Sequence, residues 1–286
     1  MARVLTAREI GFCFGVKRAV SLCEETLRRH GACFSIGPVI HNERVMENLT
    51  ARGLKIVREM PDGRTPALVR SHGLHPEKLR ALSKSGREVV DATCPFVSRV
   101  QKLVTRLRRQ GYRVLIIGEP DHPEVKALAG FAGNSALICP AGRSAARRWA
   151  AVNFRTPPAK RVAVVSQTTS TEPVYRETLA ALLKAGLPGE TRIFDTVCRV
   201  TEKRQAEALE LAGKTDLLLV VGSRKSANTR NLYRLVRKRK PAAYFISGPE
   251  EVRDDWCRPN LTVGLVSGTS TPVETIKEIK KKIERT

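Results

Sequence analysis

Cys13, Cys94 and Cys198 are the residues with most to offer chemically, because each stands in a similar run of sequence. Asp precedes the last two by three positions, and Gln follows them by seven. Arg18, Arg99 and Lys203 each follow their cysteine by five. Gly37, Gly118 and Gly222 each follow it by 24 residues, ending an apolar run and opening a polar loop. Those loops hold His41, His122, and Ser226 with Asn228. A third station reads Ser71-His72-Gly73, Ser166-Gln167-Thr168-Thr169 and Ser267-Gly268-Thr269-Ser270. Each then meets a proline able to open a helix: Pro76, Pro173 and Pro272. This is one unit written three times, each bringing one cysteine and two polar loops.

Three thiolates so far apart in sequence can ligate one metal centre. There is no C-x-x-C pair, which disfavours an ordinary structural zinc site and suits iron–sulfur better. A [4Fe–4S] cubane normally takes four cysteines, and no fourth one stands in an equivalent place. A cubane here would leave one iron without a protein thiolate, open to a substrate while the cluster passes electrons. The competing reading is three unrelated buried cysteines; the repeat speaks against it. Cys23, Cys33, Cys139 and Cys257 fall outside the repeated station and read as structural.

The loops are polar but mostly uncharged: His41, His72, His122, Ser226, Asn228 and Ser270. A lone histidine is more often a satisfied structural residue, but three in such loops suit a phosphate or diphosphate. Ser270 adjoins a helix start, where N–H groups and the dipole favour an anion. Glu124 is the one carboxylate in these loops with an evident task. A diphosphate and a reduced cluster would disfavour its ionised form and raise its pKa toward that of a working acid. The plainer reading is a glutamate at a helix start.

The elements that must position these groups follow from periodicity. Apolar residues recur at helical spacing through Val16, Ala19, Val20, Cys23 and Leu27, with Gly31 closing the helix. Phe96 to Leu107 gives a second such stripe, and Asn228 to Val236 another. Residues 3–5, Cys33–Ile36, Ala67–Val69, Val89–Val90, Val114–Ile117, Leu137–Cys139, Val162–Val165, Leu217–Val221, Tyr244–Ile246 and Leu261–Val266 read as strands. Thr271-Pro272-Val273-Glu274 reads as a capping box with proline at the first helical position. Strands alternating with helices give an α/β class with parallel sheets. Three small α/β units in a pseudo-three-fold trefoil would bring the loops to one centre. The expected units are 14–92, 93–193 and 194–286, with residues 1–13 as an N-terminal strand and first cluster cysteine.

The 286 residues suffice for a large core, and no apolar run approaches the ~20 residues of a membrane span. An odd seven cysteines argues for thiols in a reducing compartment rather than a disulfide framework. With no apolar leader evident, the chain is expected in the cytoplasm. A net charge of +23 favours acidic partners. No aromatic-plus-basic stacking motif is present, so nucleic acid is not the expected partner.

The motif set resembles the 4-hydroxy-3-methylbut-2-enyl diphosphate reductases, the IspH or LytB family, across essentially the whole chain. The resemblance rests on Gly11-Phe-Cys13-Phe-Gly15-Val, Gly37-Pro-Val-Ile-His41-Asn, Ser71-His72-Gly73, Asp91-Ala-Thr-Cys94-Pro and His122-Pro-Glu124-Val. It continues through Ser166-Gln-Thr168-Thr169, Thr196-Val-Cys198 with Thr201 and Arg204-Gln205, Ser226-Ala-Asn228, and Ser270 with Pro272. It implies a [4Fe–4S] cluster on Cys13, Cys94 and Cys198, reductive removal of an allylic hydroxyl, and a ferredoxin- or flavodoxin-like donor. It implies that His41, His72, His122, Ser226, Asn228 and Ser270 hold the diphosphate. Glu124 and Thr168 would handle the hydroxyl and protons, with His122 helping to orient the pocket. Three positions depart from the pattern: Ala127 for a usual glycine, Lys225 for a usual asparagine, and Ala227 where many members carry serine. Two rivals stand beside this reading: a member reducing a different anionic substrate, and a cluster-bearing redox sensor or electron carrier.

Overall fold

The computed structural model describes residues 2–153, 160–187 and 189–285. In chain order the elements are β1 (Arg3–Thr6), α1 (Phe14–His30), β2 (Cys33–Ile36), α2 (Glu43–Ala51), β3 (Leu54–Val57), β4 (Ala67–Val69), α3 (Pro76–Lys84) and β5 (Val89–Asp91). They continue with α4 (Pro95–Arg109), β6 (Arg113–Ile117), α5 (Pro123–Ala132), β7 (Ala136–Cys139), α6 (Arg143–Asn153), β8 (Arg161–Ser166), α7 (Glu172–Lys184) and β9 (Glu190–Ile193). The last are α8 (Arg199–Lys214), β10 (Leu217–Val221), α9 (Ala227–Arg239), β11 (Ala243–Ile246), β12 (Thr262–Ser267) and α10 (Val273–Arg285).

The strands form three four-stranded parallel sheets, ordered β3-β2-β4-β5, β7-β6-β8-β9 and β11-β10-β12-β1. The order is the same each time: the chain lays a first strand, places the second on one side, and crosses to the other for the third. The crevice at the carboxyl ends of the first and third strands is then a switch point, where ligands bind in such sheets. The site loops leave those strands: β2 and β4, β6 and β8, β10 and β12. This is the three-lobed α/β trefoil expected from the repeat.

β1 pairs in parallel with β12, Arg3 opposite Thr262 and Thr6 opposite Leu265. The fourth strand of the last sheet thus comes from the beginning of the chain. A cysteine follows the fourth strand in all three cases, and the helix after it packs on the next sheet. Ala19 and Cys23 of α1 share a core with β2, Val100 and Val104 of α4 with β6, and Ala208 and Ala212 of α8 with β10. Both faces of every sheet carry apolar cores, so the central strands are continuous apolar runs, as buried parallel strands are.

Two elements, β3 and α6, carried too little pattern to be read, while α7 opens with Pro173 in its first turn, as expected. β3 is an edge strand with Lys55 and Ile56 exposed, and α6 buries only Ala146 and Ala150. α7 starts at Glu172 with Thr171 as its cap. At the last helix, α10 begins one residue beyond Pro272, and the Thr271 hydroxyl donates to Val221 O at 3.0 Å.

Candidate functional site

Cys13, Cys94 and Cys198 are the N-cap residues of α1, α4 and α8, and no thiol makes a side-chain cap bond. Each is a free thiol at the start of a helix. All three line one cavity. Burial pushes the Cys13 and Cys94 thiols up, while N–H groups of the first helical turn, those of Val16 and Gly15 and of Phe96 and Val97, draw them back. A Cβ on Gly15 would sit 2.5 Å from Cys94 Sγ, so only glycine lets α1 come this close.

The cysteine backbones are held in a matching way. Cys94 N–H donates to Ser71 O at 2.9 Å, Cys198 N–H to Thr168 O at 2.8 Å, and Cys13 N–H to Thr269 O at 3.1 Å. The third stations therefore align by structure as Ser71, Thr168 and Thr269. The sequence alignment on Ser71, Ser166 and Ser267 is displaced by two residues in the second and third units, where those serines end β8 and β12. Cys23, Cys33, Cys139 and Cys257 lie buried in apolar cores, away from this cavity. Three free thiols lining one cavity fit a thiolate-held iron–sulfur group by donor type.

A second cavity adjoins the first, sharing Ser71, His72, Thr169 and Thr269 with it. Its lining includes His41, His122, Ser226, Asn228 and Ser270. The three imidazoles are mutually packed, with ring centroids 4.7 Å apart for His41–His72, 5.8 Å for His41–His122 and 5.2 Å for His72–His122. Their ring nitrogens lie within 4.8 Å of one another, close enough for a metal ion. Two observations favour an anion instead. His122 caps α5, and its Nδ1 accepts the Glu124 N–H at 3.2 Å; a neutral ring so held carries its proton on Nε2 and presents a donor. The charges that act most strongly on His41 are the cations Arg70 and Arg230, ahead of Glu43 and Lys225.

Burial first, then those cations, holds His41 down to about 4. Burial and the neighbouring rings hold His122 down to about 3 and His72 well below its usual value. Ser226 is the N-cap of α9 and accepts the Thr229 N–H at 3.3 Å, which leaves its hydroxyl proton for a ligand. The Ser270 hydroxyl donates to His41 O at 3.1 Å and must turn to meet an anion. Asn42, the α2 cap, donates to Ser270 O at 2.9 Å and so ties the His41 loop to the last loop.

Glu124 lines the thiol cavity beside Thr168 of the loop after β8. It stands in the first turn of α5, as the plainer reading had it, yet its side chain is 0% exposed. Burial raises its pKa to about 7 against two bonds from Thr168 that lower it. The Thr168 N–H donates to Oε1 at 2.7 Å and the Thr168 hydroxyl to Oε2 at 2.9 Å. The same Thr168 presents its carbonyl to Cys198, so acid, hydroxyl and thiol loop form one connected piece.

Every candidate ligand, anion-binding and acid residue, from Cys13, Cys94 and Cys198 to the three histidines, Ser226, Asn228, Ser270, Glu124 and Thr168, thus lines one cavity or the other. Arg70 was missed: it is half-buried and acts on the imidazoles, and nothing but its place before Ser71 marked it. Of the departures, Ala227 lines the second cavity and Ala127 is buried in α5. Lys225 reaches outward, its Nζ 3.5 Å from Glu43 Oε1.

The sequence profile of the family described as LytB protein matches residues 4–284. The chain is 36% identical over 282 residues to the 4-hydroxy-3-methylbut-2-enyl diphosphate reductase of Geobacter sulfurreducens, covering 98% of this chain and 96% of that one. It is 36% identical over 287 residues to the enzyme of the same name from Aquifex aeolicus, covering 99% and 96%. A solved structure of (E)-4-hydroxy-3-methyl-but-2-enyl diphosphate reductase, the terminal enzyme of the non-mevalonate pathway, is 34% identical and superposes over 100% of both chains with a TM-score of 0.72. The Plasmodium falciparum reductase structure is 24% identical, with a TM-score of 0.86 over 98% of this chain and 87% of that one, and shares the fold.

Proposed function

This chain is an oxidoreductase of the LytB family, and we propose that it reductively removes the allylic hydroxyl of (E)-4-hydroxy-3-methylbut-2-enyl diphosphate, the terminal step of the non-mevalonate pathway. The products are isopentenyl and dimethylallyl diphosphates and water. One C–O bond breaks and one C–H bond forms; two electrons and two protons enter, one proton leaving in water and one staying on carbon. The observation that carries this reading is a three-thiol cavity, lined also by a buried carboxylic acid, that shares Ser71, His72, Thr169 and Thr269 with a three-imidazole cavity.

Cys13, Cys94 and Cys198 would hold a [4Fe–4S] cluster. Bound there, such a cluster supplies electrons and Lewis acidity for the leaving oxygen. His41, His72, His122, Ser226, Asn228 and Ser270 bind the diphosphate by hydrogen bonds, aided by the N-terminus of α9. That arrangement anchors the substrate by its anionic end and directs the allylic hydroxyl toward Glu124. Glu124 holds the proton, and the Thr168 hydroxyl passes it, because Thr168 already bonds the acid. The apolar rim of Val16 and Val97 helps to exclude water.

Electrons come from a small acidic carrier of the ferredoxin or flavodoxin kind. Phe14, 63% exposed, and Phe96, 37% exposed, stand at the mouth of the thiol cavity, with Lys17, Arg99 and Lys203 exposed on α1, α4 and α8. Such charge steers an acidic partner to the mouth. Among the described residues no helix is long and apolar enough to cross a membrane, and the free thiols suit work in the cytoplasm.

The test is anaerobic. Protein reduced with dithionite and freed of excess reductant is mixed with substrate, and its reoxidation is followed with the products. Substrate-dependent reoxidation is expected, with inorganic pyrophosphate competing. A carrier or sensor gives no such reoxidation, and a neutral alcohol reacting as well as its diphosphate would overturn the substrate assignment.

A further inference from the structure

Arg204 lies six residues after Cys198 on α8 and is only 5% exposed. The repeat supplies its own control. The positions six after Cys13 and Cys94 are Ala19 and Val100, both buried and apolar. The fold therefore does not need a cation at this position, and only the third unit has one.

A buried guanidinium needs a counter-charge. Among the described residues no carboxylate forms an ion pair with Arg204. One of its terminal nitrogens donates to Ser267 O at 3.3 Å, Ser267 Oγ at 3.4 Å and Gly268 O at 3.1 Å, all neutral acceptors. Its Nε is buried and has no partner. The anionic group it senses most strongly is Cys13, ahead of Glu9 and Glu207.

The bonds it does make lead back to Cys13. Ser267 Oγ also accepts the Gly11 N–H at 3.2 Å, and the next residue along the loop, Thr269, accepts the Cys13 N–H at 3.1 Å. Arg204 thus clamps one loop that carries the first thiol on one side and Ser270 on the other.

We propose that Arg204 is the internal counter-cation of the three-thiolate centre and the residue that positions the Ser267–Ser270 loop against it. The assignment rests on the cluster reading above. A fixed buried cation stabilises whichever state of the centre is more negative, so it raises the reduction potential and opposes loss of the centre. Its charge and its hydrogen bonds are separable, since lysine keeps the first without the planar fork.

The experiment compares the wild-type protein with Arg204→Gln and Arg204→Lys, reconstituted anaerobically, without substrate. Iron content is measured first and then the potential, by redox titration followed by EPR. At a fixed potential, Arg204→Gln should show about tenfold less reduced centre, 59 mV for one electron, while Arg204→Lys stays near the wild type. If Arg204→Gln cannot retain iron, retention by Arg204→Lys supports the charge and equal loss in both overturns it. An unshifted potential in fully loaded Arg204→Gln overturns the proposal and leaves the cluster reading intact. A wild-type protein that takes up no iron overturns both.

Discussion

Changing Glu124 to Gln is the most searching perturbation of the site, because two independent readouts follow from one buried group. Gln keeps the shape: its amide oxygen accepts the Thr168 N–H that Oε1 now takes at 2.7 Å, and its NH₂ donates to the Thr168 hydroxyl. It lacks only the acid proton. If Glu124 supplies that proton, turnover should fall by about 10²–10⁴, as on losing a general acid, with iron content and pyrophosphate binding kept. The second readout is stability. Burial raises the Glu124 pKa from 4.5 to about 7, which corresponds to about 3 kcal/mol. The sign is that of a raised carboxylate. Below about pH 4.5 the folded and unfolded forms are both protonated and this contribution is complete. Between 4.5 and 7 the unfolded chain ionises while the folded one resists, so wild-type stability falls by that amount and levels off above. Gln does not titrate. The melting temperature of Glu124→Gln relative to wild type should therefore climb between pH 4.5 and 7, measured anaerobically on loaded protein. Near-normal turnover would sink the catalytic role, and a difference that stays flat with pH would refute the burial argument beneath it.

Three further outcomes are expected. Serine at Cys13, Cys94 or Cys198 should cost iron and the brown colour of anaerobic protein, while serine at Cys139, in an apolar core, should not; full iron loading in all three site variants would defeat the ligand assignment. His122 is held neutral, at about 3 against 6.5 unfolded, so its contribution is complete above 6.5 and is lost as pH falls, by about 2 kcal/mol at pH 5. His122→Gln should gain on the wild type between pH 7 and 5 in thermal melts, and a constant difference would contradict the neutral ring. Turnover with a ferredoxin should drop with salt much more steeply than turnover with a small chemical reductant, and equal sensitivity would remove the charged docking face from the account.

The cysteines, the glycines that open the loops and the histidines were legible because repeated spacing is a property of sequence alone. Periodicity likewise placed β10, α1 and α4, whose apolar stripes are strong. What stayed hidden depends on neighbours far along the chain. The third stations read in register from Ser71, Ser166 and Ser267, but the carbonyls that receive the cysteine N–H groups belong to Ser71, Thr168 and Thr269. Composition cannot tell a strand-ending serine from a loop hydroxyl two residues on. Arg70 and Arg204 look like any of the 51 basic residues until packing half-buries the first and removes the second from water. Glu124 could be read either as a helix-start carboxylate or as an acid, and its burial against Thr168 in the first turn of α5 was not readable from sequence.

The hydrogen bonds behind the cysteines explain why one thiol per repeat is enough. Each cysteine follows the fourth strand of one sheet and heads the helix of the next, so each stands at a seam between two units. Its N–H reaches back to the loop of the sheet it has just left: Cys94 to the Ser71 loop, Cys198 to Thr168, Cys13 to Thr269. The third seam closes only because β1 pairs with β12, joining the two ends of the chain in one sheet. A centre bound to all three thiols would therefore fasten three seams at once, and its binding free energy would become free energy of assembly. The same loops carry His72, the Thr168 partner of Glu124, and Ser270. The imidazole cavity, Glu124 and the thiols are thus coupled through the backbone. A repeat with its cysteine in mid-helix could still ligate a metal, but it would leave the substrate loops unaware of whether the metal was there.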